Sequence, residues 1–222
     1  MHNKTKQEQW NDVYDKFYGN RRSVWRENAT PFFTNKIDYL KHKKVKTVLD
    51  AGCGDGRNLI AFANAGFEIT GVDISDIALK KCHKAVGRKK NVTLKREPLE
   101  ELSFKPSSFD AIICDFVLVH VEEIEKVLSN FHKVLKMGGY ALLEFISTKD
   151  ERCNRGQKVG RNQYLQHGTF IRTFDIKDIE RLLKKFNILF IETEYYTDPH
   201  HGGGYHRKER HIHHSYFVIA QK

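Results

Sequence analysis

Only four of the 222 residues are cysteine, and Cys53, Cys82, Cys114 and Cys153 show no paired spacing and no C-x-x-C. That excludes a disulfide framework and a cysteine-built zinc site. Nowhere do about 18 apolar residues run uninterrupted, so nothing reads as a membrane span. Met1–Gln9 is polar and lacks the apolar stretch of a secretory leader, so the chain is expected in the cytoplasm. No repeat and no change of composition marks a second domain. Acids are the scarcer charge, 28 against 38 lysines and arginines, which leaves a net +10. Such a balance suits nucleic acid, an anionic substrate, or simply a basic enzyme. Apolar residues, at 40%, fall below the usual globular share, so one core under a heavily charged surface is expected.

The most informative stretch is Thr47-Val48-Leu49-Asp50-Ala51-Gly52-Cys53-Gly54-Asp55-Gly56-Arg57-Asn58. An apolar run ends in an acid, breaks into three alternating glycines, and passes into a helical pattern at Leu59, Ile60, Phe62 and Ala63. That is a strand, a tight turn and a helix start, where a ligand can approach bare backbone. Glycine permits the positive φ of the turn and removes the Cβ that would hold a ligand away. The third glycine comes one residue too early for the dinucleotide fingerprint. Asp50 and Asp55 would repel a pyrophosphate and suit a ligand that carries positive charge.

A second strand, Phe67–Asp73, again ends in an acid. Asp73 lies 23 residues after Asp50, placed to accept ribose hydroxyls; the alternative is a helix N-cap, for which Ser75 and Asp76 compete. The pattern predicts helices over 31–41, 57–66, 77–86, 122–136 and 175–186, and further strands over 91–96, 109–114, 140–146, 188–195 and 212–220. Residues 1–9 are expected to fray. Trp10, Tyr14 and Phe17 share helical spacing, with Tyr18 and Trp25 beyond: an amphipathic helix on the core, or an aromatic lid over a cation. Between Lys80 and Arg96 stand eight basic residues and no acid, a solvated face or a nucleic-acid footprint without stacking aromatics. Residues 147–170 read as a long polar insertion, functional or mobile. Strand–helix alternation closed by a terminal hairpin predicts an α/β fold, a doubly wound, mostly parallel seven-stranded sheet with one antiparallel strand.

The acid–glycine run resembles motif I of the class I S-adenosylmethionine-dependent methyltransferases, over about residues 45–146. Phe109-Asp110 through Leu118-Val119-His120 resembles the family's fourth strand and the segment after it. The resemblance implies S-adenosylmethionine as cofactor, held by Asp50, Ala51, Gly52, Cys53, Gly54, Gly56, Arg57 and Asn58, by Asp73 and Ile74, and by Asp115 and Phe116. Glu97-Pro98-Leu99 matches the segment that brackets the adenine. The family usually carries an aspartate where Pro98 stands, which leaves the Leu99 N–H and the Glu97 carboxylate as polar contacts. His120 is the candidate base, or a core histidine holding the next helix start. Asp115 positions the substrate or serves only the strand end. Trp10 and Tyr14 match the aromatic N-terminal cap of many small-molecule methyltransferases.

Six histidines crowd the terminal hairpin, at 200, 201, 206, 211, 213 and 214. Glu209 is the one carboxylate among them and no H-E-x-x-H occurs, so no metal is assigned; a wall of imidazoles facing the substrate is expected instead. The tail from Gly202 through Arg207 and Ser215 to Ile219-Ala220-Gln221-Lys222 more loosely resembles the tellurite-resistance and thiol-type methyltransferases. That likeness implies an acceptor met by Tyr205, His206 and Arg207, with Tyr164 and His167 approaching from the insertion. The organisation expected is one domain: a helical cap (1–44), a cofactor-binding half (45–146), and an insertion with terminal strands (147–222). Three functions compete: methyl transfer to a small molecule, methyl transfer to tRNA or rRNA, and a binding module or NAD-linked dehydrogenase on the same scaffold. The carboxylates of the loop speak against the last. Nothing in the sequence names the acceptor or the oligomeric state.

Overall fold

A computed structural model describes residues 4–16, 28–151, 153–198 and 211–222. The chain opens with α1 (Lys6–Lys16), α2 (Pro31–Thr34) and α3 (Ile37–His42). Alternation follows: β1 (Thr47–Ala51), α4 (Arg57–Asn64), β2 (Glu68–Asp73), α5 (Asp76–Val86), β3 (Val92–Arg96), β4 (Phe109–Cys114), α6 (Ile124–Val134) and β5 (Leu135–Ile146). Three short strands, β6 (Gln157–Gly160), β7 (Gln163–Gln166) and β8 (Thr169–Arg172), precede α7 (Ile176–Leu182), β9 (Asn187–Asp198) and β10 (His211–Gln221). The main sheet runs β3-β2-β1-β4-β5-β10-β9, with β10 antiparallel to both its neighbours. The doubly wound sheet with one reversed strand is therefore present.

Strands buried on both faces read as continuous apolar runs. Alternate residues of each strand serve two cores. Leu49, Ile112, Leu143 and Val218 face α6 and α7 with Phe131 and Phe174. Val48, Ile113, Leu142 and Phe217 face α2–α5 with Phe33, Leu59 and Phe62. Because β1 stands between β2 and β4, the chain reverses its winding there, and the crevice at such a switch point is where ligands bind in open α/β sheets.

Several sequence expectations change. The N-terminus does not fray through residue 9: the Thr5 hydroxyl accepts from Glu8 N–H and the Glu8 carboxylate accepts from Thr5 N–H, a capping box that starts α1. The helix over 31–41 is divided in two by a tight turn at Lys36, whose N–H reaches only back to Phe33. The helix over 122–136 stops at Val134, since Leu135 already pairs with Phe109. Gly138 and Gly139 then lie in an irregular strand start, where a Cβ on Gly139 would meet two carbonyl oxygens at 2.9 Å. The insertion is not one long loop. It folds into an antiparallel meander whose β7–β8 turn, His167-Gly168, has positive φ at both residues, as two-residue hairpins favour. Tyr164 and Ile171 from the meander close a small cluster with Val119 and Ile146.

Candidate active site

The turn after β1 is made by Gly52 and Cys53, whose N–H groups both donate to Val72 O (2.8 and 2.9 Å). Gly52, Gly54 and Gly56 all have positive φ. A Cβ on Gly52 would lie 2.3 Å from Val117, one on Gly54 2.4 Å from the Tyr14 hydroxyl, and one on Gly56 2.6 Å from Cys82 Sγ. The glycines thus have the positive φ expected of the turn, and the protein's own side chains also leave no room for a Cβ there.

The two strand-tip acids differ in their partners. Asp73 is braced on the loop, accepting from Gly54 N–H at Oδ2 (2.9 Å) and from Ser75 N–H at Oδ1 (2.8 Å). Burial raises it to about 6 against those N–H groups. It does not cap α5; Ser75 does, accepting from Ala78 N–H. Asp50 is 2% exposed. Burial and the nearby Asp115 raise it to about 8, with Arg57 and the Leu59 N–H opposing. Its Oδ2 has no hydrogen-bond partner among the described residues. A buried carboxylate oxygen of this kind is costly unless a ligand completes it.

Arg57 and Asn58 are turned toward Asp115. Its Oδ2 accepts from Arg57 Nη2 (2.5 Å), Asn58 Nδ2 (2.7 Å) and the Thr30 hydroxyl (2.7 Å). Burial works against the charge of Asp115, yet Arg57 and these donors hold it below the ordinary range. Glu144, on β5, was not singled out from sequence, although a lone acid in the run Tyr140-Ala141-Leu142-Leu143-Glu144-Phe145-Ile146 was the available signal. Its Oε1 accepts from the Tyr196 and Ser215 hydroxyls (2.8 and 2.7 Å), while its Oε2 has no hydrogen-bond partner among the described residues. Burial and Asp115 push it up to about 8. Glu144 is therefore mostly neutral at pH 7.

These groups open onto a cleft over the β1/β4 switch point. Its walls include Asp50, Gly52, Cys53, Gly54, Asp55, Arg57, Asn58, Asp73 and Ile74, then Glu97, Pro98 and Leu99, then Asp115, Phe116 and His120, with Trp10 and Tyr14 from α1. Ala51 and Gly56, expected there, do not line it: Ala51 is fully buried in the core and Gly56 faces Cys82. Glu97 is already engaged by Ser103 (Oγ 2.5 Å) and Lys95. α1 serves as both packed helix and cleft wall, tied down by Ser75 Oγ to Asn11 Oδ1 (2.7 Å) and Lys81 Nζ to Tyr14 O (2.8 Å).

His120 sits in a 3-10 turn (Leu118–His120) beside the Trp10 ring, centroids 4.8 Å apart. Its Nδ1 lies 3.0 Å from Phe170 O on β8. A carbonyl only accepts, so Nδ1 carries the hydrogen and Nε2 is left as the basic nitrogen. The insertion's contribution is thus to orient His120. Tyr164 and His167 themselves do not line the cleft: Tyr164 bonds Asn154 (2.7 Å) within the meander's cluster, and His167 is exposed in the hairpin turn. His213 and His214 form no wall either. Alternation along β10 sends them to opposite faces; both are buried, and His213 Nδ1 pairs with Asp150 Oδ2 (2.8 Å). Tyr205, His206 and Arg207, together with Phe17, Tyr18 and Trp25, lie outside the described residues.

The cleft fits a cationic adenosyl ligand through a buried carboxyl oxygen, Asp50 Oδ2, that has no partner among the described residues, and through a second carboxylate at the next strand tip. Fold and site together are similar to those of the class I S-adenosylmethionine-dependent methyltransferases. Residues 49–143 match the family model described as a methyltransferase domain. The chain is 31% identical over 125 residues to a ubiquinone biosynthesis O-methyltransferase of Pseudomonas paraeruginosa, covering 54% of this chain and 53% of that protein. It thus spans about half the length of the curated relatives it matches. The fold is shared with the Burkholderia thailandensis 1,6-didemethyltoxoflavin-N1-methyltransferase, solved with bound 1,6-didemethyltoxoflavin and S-adenosylhomocysteine (TM-score 0.65, 20% identity, 100% of this chain and 92% of that one). It is shared too with a structure described for the conversion of a disulfide bond into a thioacetal group during echinomycin biosynthesis (TM-score 0.74, 16% identity, 98% and 92%).

Proposed function

We propose that this chain transfers a methyl group from S-adenosylmethionine to a nucleophilic atom of a small molecule. The observation that carries the reading is Asp50, whose partnerless buried oxygen faces the same cleft as Asp73 and His120. Asp50 holds the ammonium of the cofactor, Asp73 the ribose hydroxyls, and Pro98-Leu99 an edge of the adenine. Bound there, the cofactor supplies an electrophilic methyl on a sulfonium. The protein's share is alignment in a site shielded from water, and a proton acceptor. His120 Nε2 takes the proton of the acceptor's O–H, N–H or S–H, and Trp10 caps it against solvent. Glu144 and Asp115 hold Arg57, and with it the start of α4, in place.

Names among the relatives and fold neighbours point to small-molecule acceptors, a quinone precursor's oxygen and a ring nitrogen among them. The basic run is divided: Lys84 to Lys90 lie toward the C-terminal end of α5, away from the strand tips, whereas Lys95 and Arg96 end β3 beside Asp73, so its position favours neither acceptor. Incubation with labelled cofactor and either pooled metabolites or pooled tRNA and rRNA tests the choice. Label in small molecules is expected; label in RNA, bound with a steep salt slope, would replace this reading by the other.

A further inference from the structure

At the end of the sheet opposite the cleft, β1–β5 and β9 begin and β10 ends. The segments that form this edge are 41–47, 65–68, 84–92, 104–110, 133–139, 183–188 and 221–222. They hold fourteen of the chain's 38 lysines and arginines but only two of its 28 carboxylates, Glu68 and Asp110. The edge therefore carries more than the whole net charge of +10, and the rest of the protein is close to neutral. Twelve of the fourteen are exposed, Lys136 and Lys222 half-buried. Among the described residues only Lys136 has an acidic partner, Asp110 at 2.7 Å. Adjacency across the edge is direct: Lys185 and Lys222 both press on His132 and lower its pKa after burial has done so.

Thirteen of the fourteen are lysine and only Arg88 is arginine, although the chain has thirteen arginines in all. Arginine is the residue suited to bidentate grip of single phosphates, whereas lysine is a hydrated point charge that needs no fixed geometry. No exposed phenylalanine, tyrosine or tryptophan stands within these segments to stack a base. What does protrude is Met137, 79% exposed between Lys136 and the Gly138 turn. β1 spans five residues, so the edge lies about 17 Å from the strand tips. That is roughly twice the screening length at physiological salt, which makes it a poor device for steering ligands into the cleft.

We propose that this edge docks the protein peripherally on an anionic phospholipid surface, lysines over the headgroups and Met137 dipped between them, with the cleft facing the solvent side. Diffuse lysine charge with one apolar side chain is the chemistry such a surface recognises. The inference does not depend on the reading of the cleft.

Sedimentation with phosphatidylcholine vesicles, with and without phosphatidylglycerol, tests it. Two full-length variants are compared with the unaltered chain: K89E/K90E/K184E/K185E on the edge, and K126E/K149E/K158E/K177E elsewhere, with the same change in net charge. Expected are partition onto the anionic vesicles only, release by salt, a loss of about a hundredfold or more in the edge variant, and a much smaller loss in the other. Circular dichroism and cofactor binding, which neither set touches, verify folding. Failure to bind anionic vesicles at low salt, equal losses in both variants, or tighter binding to duplex RNA than to vesicles overturns the proposal.

Discussion

At the residue scale the protein turns on carboxyl groups kept protonated until a ligand needs their charge. Asp50 at about 8 is mostly neutral at pH 7 in the free protein, and an arriving ammonium favours its ionised form. Cofactor or S-adenosylhomocysteine binding should then expel a proton, with affinity rising by up to about tenfold per pH unit and levelling above pH 8. Calorimetry in buffers of different ionisation enthalpy reads this directly; Asp50→Asn should bind weakly and without proton release. Asp73→Ala should cost a few kcal/mol of cofactor affinity, roughly the value of charge-assisted hydrogen bonds to two hydroxyls. Unchanged affinity would remove Asp73 from the ribose. His120→Gln should leave that affinity alone and lower turnover by about a hundredfold or more; equal loss in both quantities would make His120 a structural residue.

Among the elements, the glycine loop and the meander have separable tasks. Gly54→Val places a Cβ on the Tyr14 hydroxyl at a positive φ, so the loop or α1 must shift. Cofactor binding should vanish while far-ultraviolet circular dichroism stays the same. Replacing β6–β8 by a short linker removes the Phe170 carbonyl that fixes His120. Cofactor binding should persist and turnover fall, with the His120 imidazole titrating differently by NMR. The loop, the two strand-tip acids and the alternation of strands with helices were legible because each is written in consecutive residues. The meander was not: its four-residue strands each present one or two apolar side chains, too few for a period to rise above the polar residues around them.

On the scale of the whole molecule, the raised acids make stability depend on pH in a definite direction. Between about pH 4 and 8 the native state keeps protons on Asp50 and Glu144 that the unfolded chain has released. Stability from these groups is thus greatest at the low end of that window and declines as pH rises through it. Asp110 acts oppositely: burial opposes its charge, but Lys136 and the Thr47 and Lys46 N–H groups hold it at about 2, so its share is lost as pH falls from 4 toward 2. Glu144→Gln is neutral at every pH and keeps the side chain's shape. The unfolding free energy of wild type relative to this variant should drop by up to about 1 kcal/mol per pH unit between pH 6 and 8. A difference independent of pH would mean Glu144 is already ionised.

What consecutive residues settled is the order of elements, the acid–glycine turn and the pair of carboxylates at neighbouring strand tips, since turn geometry and burial period act over a few residues. What only the folded chain decided is which polar groups spend their bonds on one another. Arg57 meets Asp115 across 58 positions, His120 meets Phe170 across 50, and Asp150 meets His213 across 63. Partners so distant are chosen by sheet order, and sheet order is set by how both apolar faces are covered at once. The same order gathers at one edge lysines that the sequence scatters over six segments.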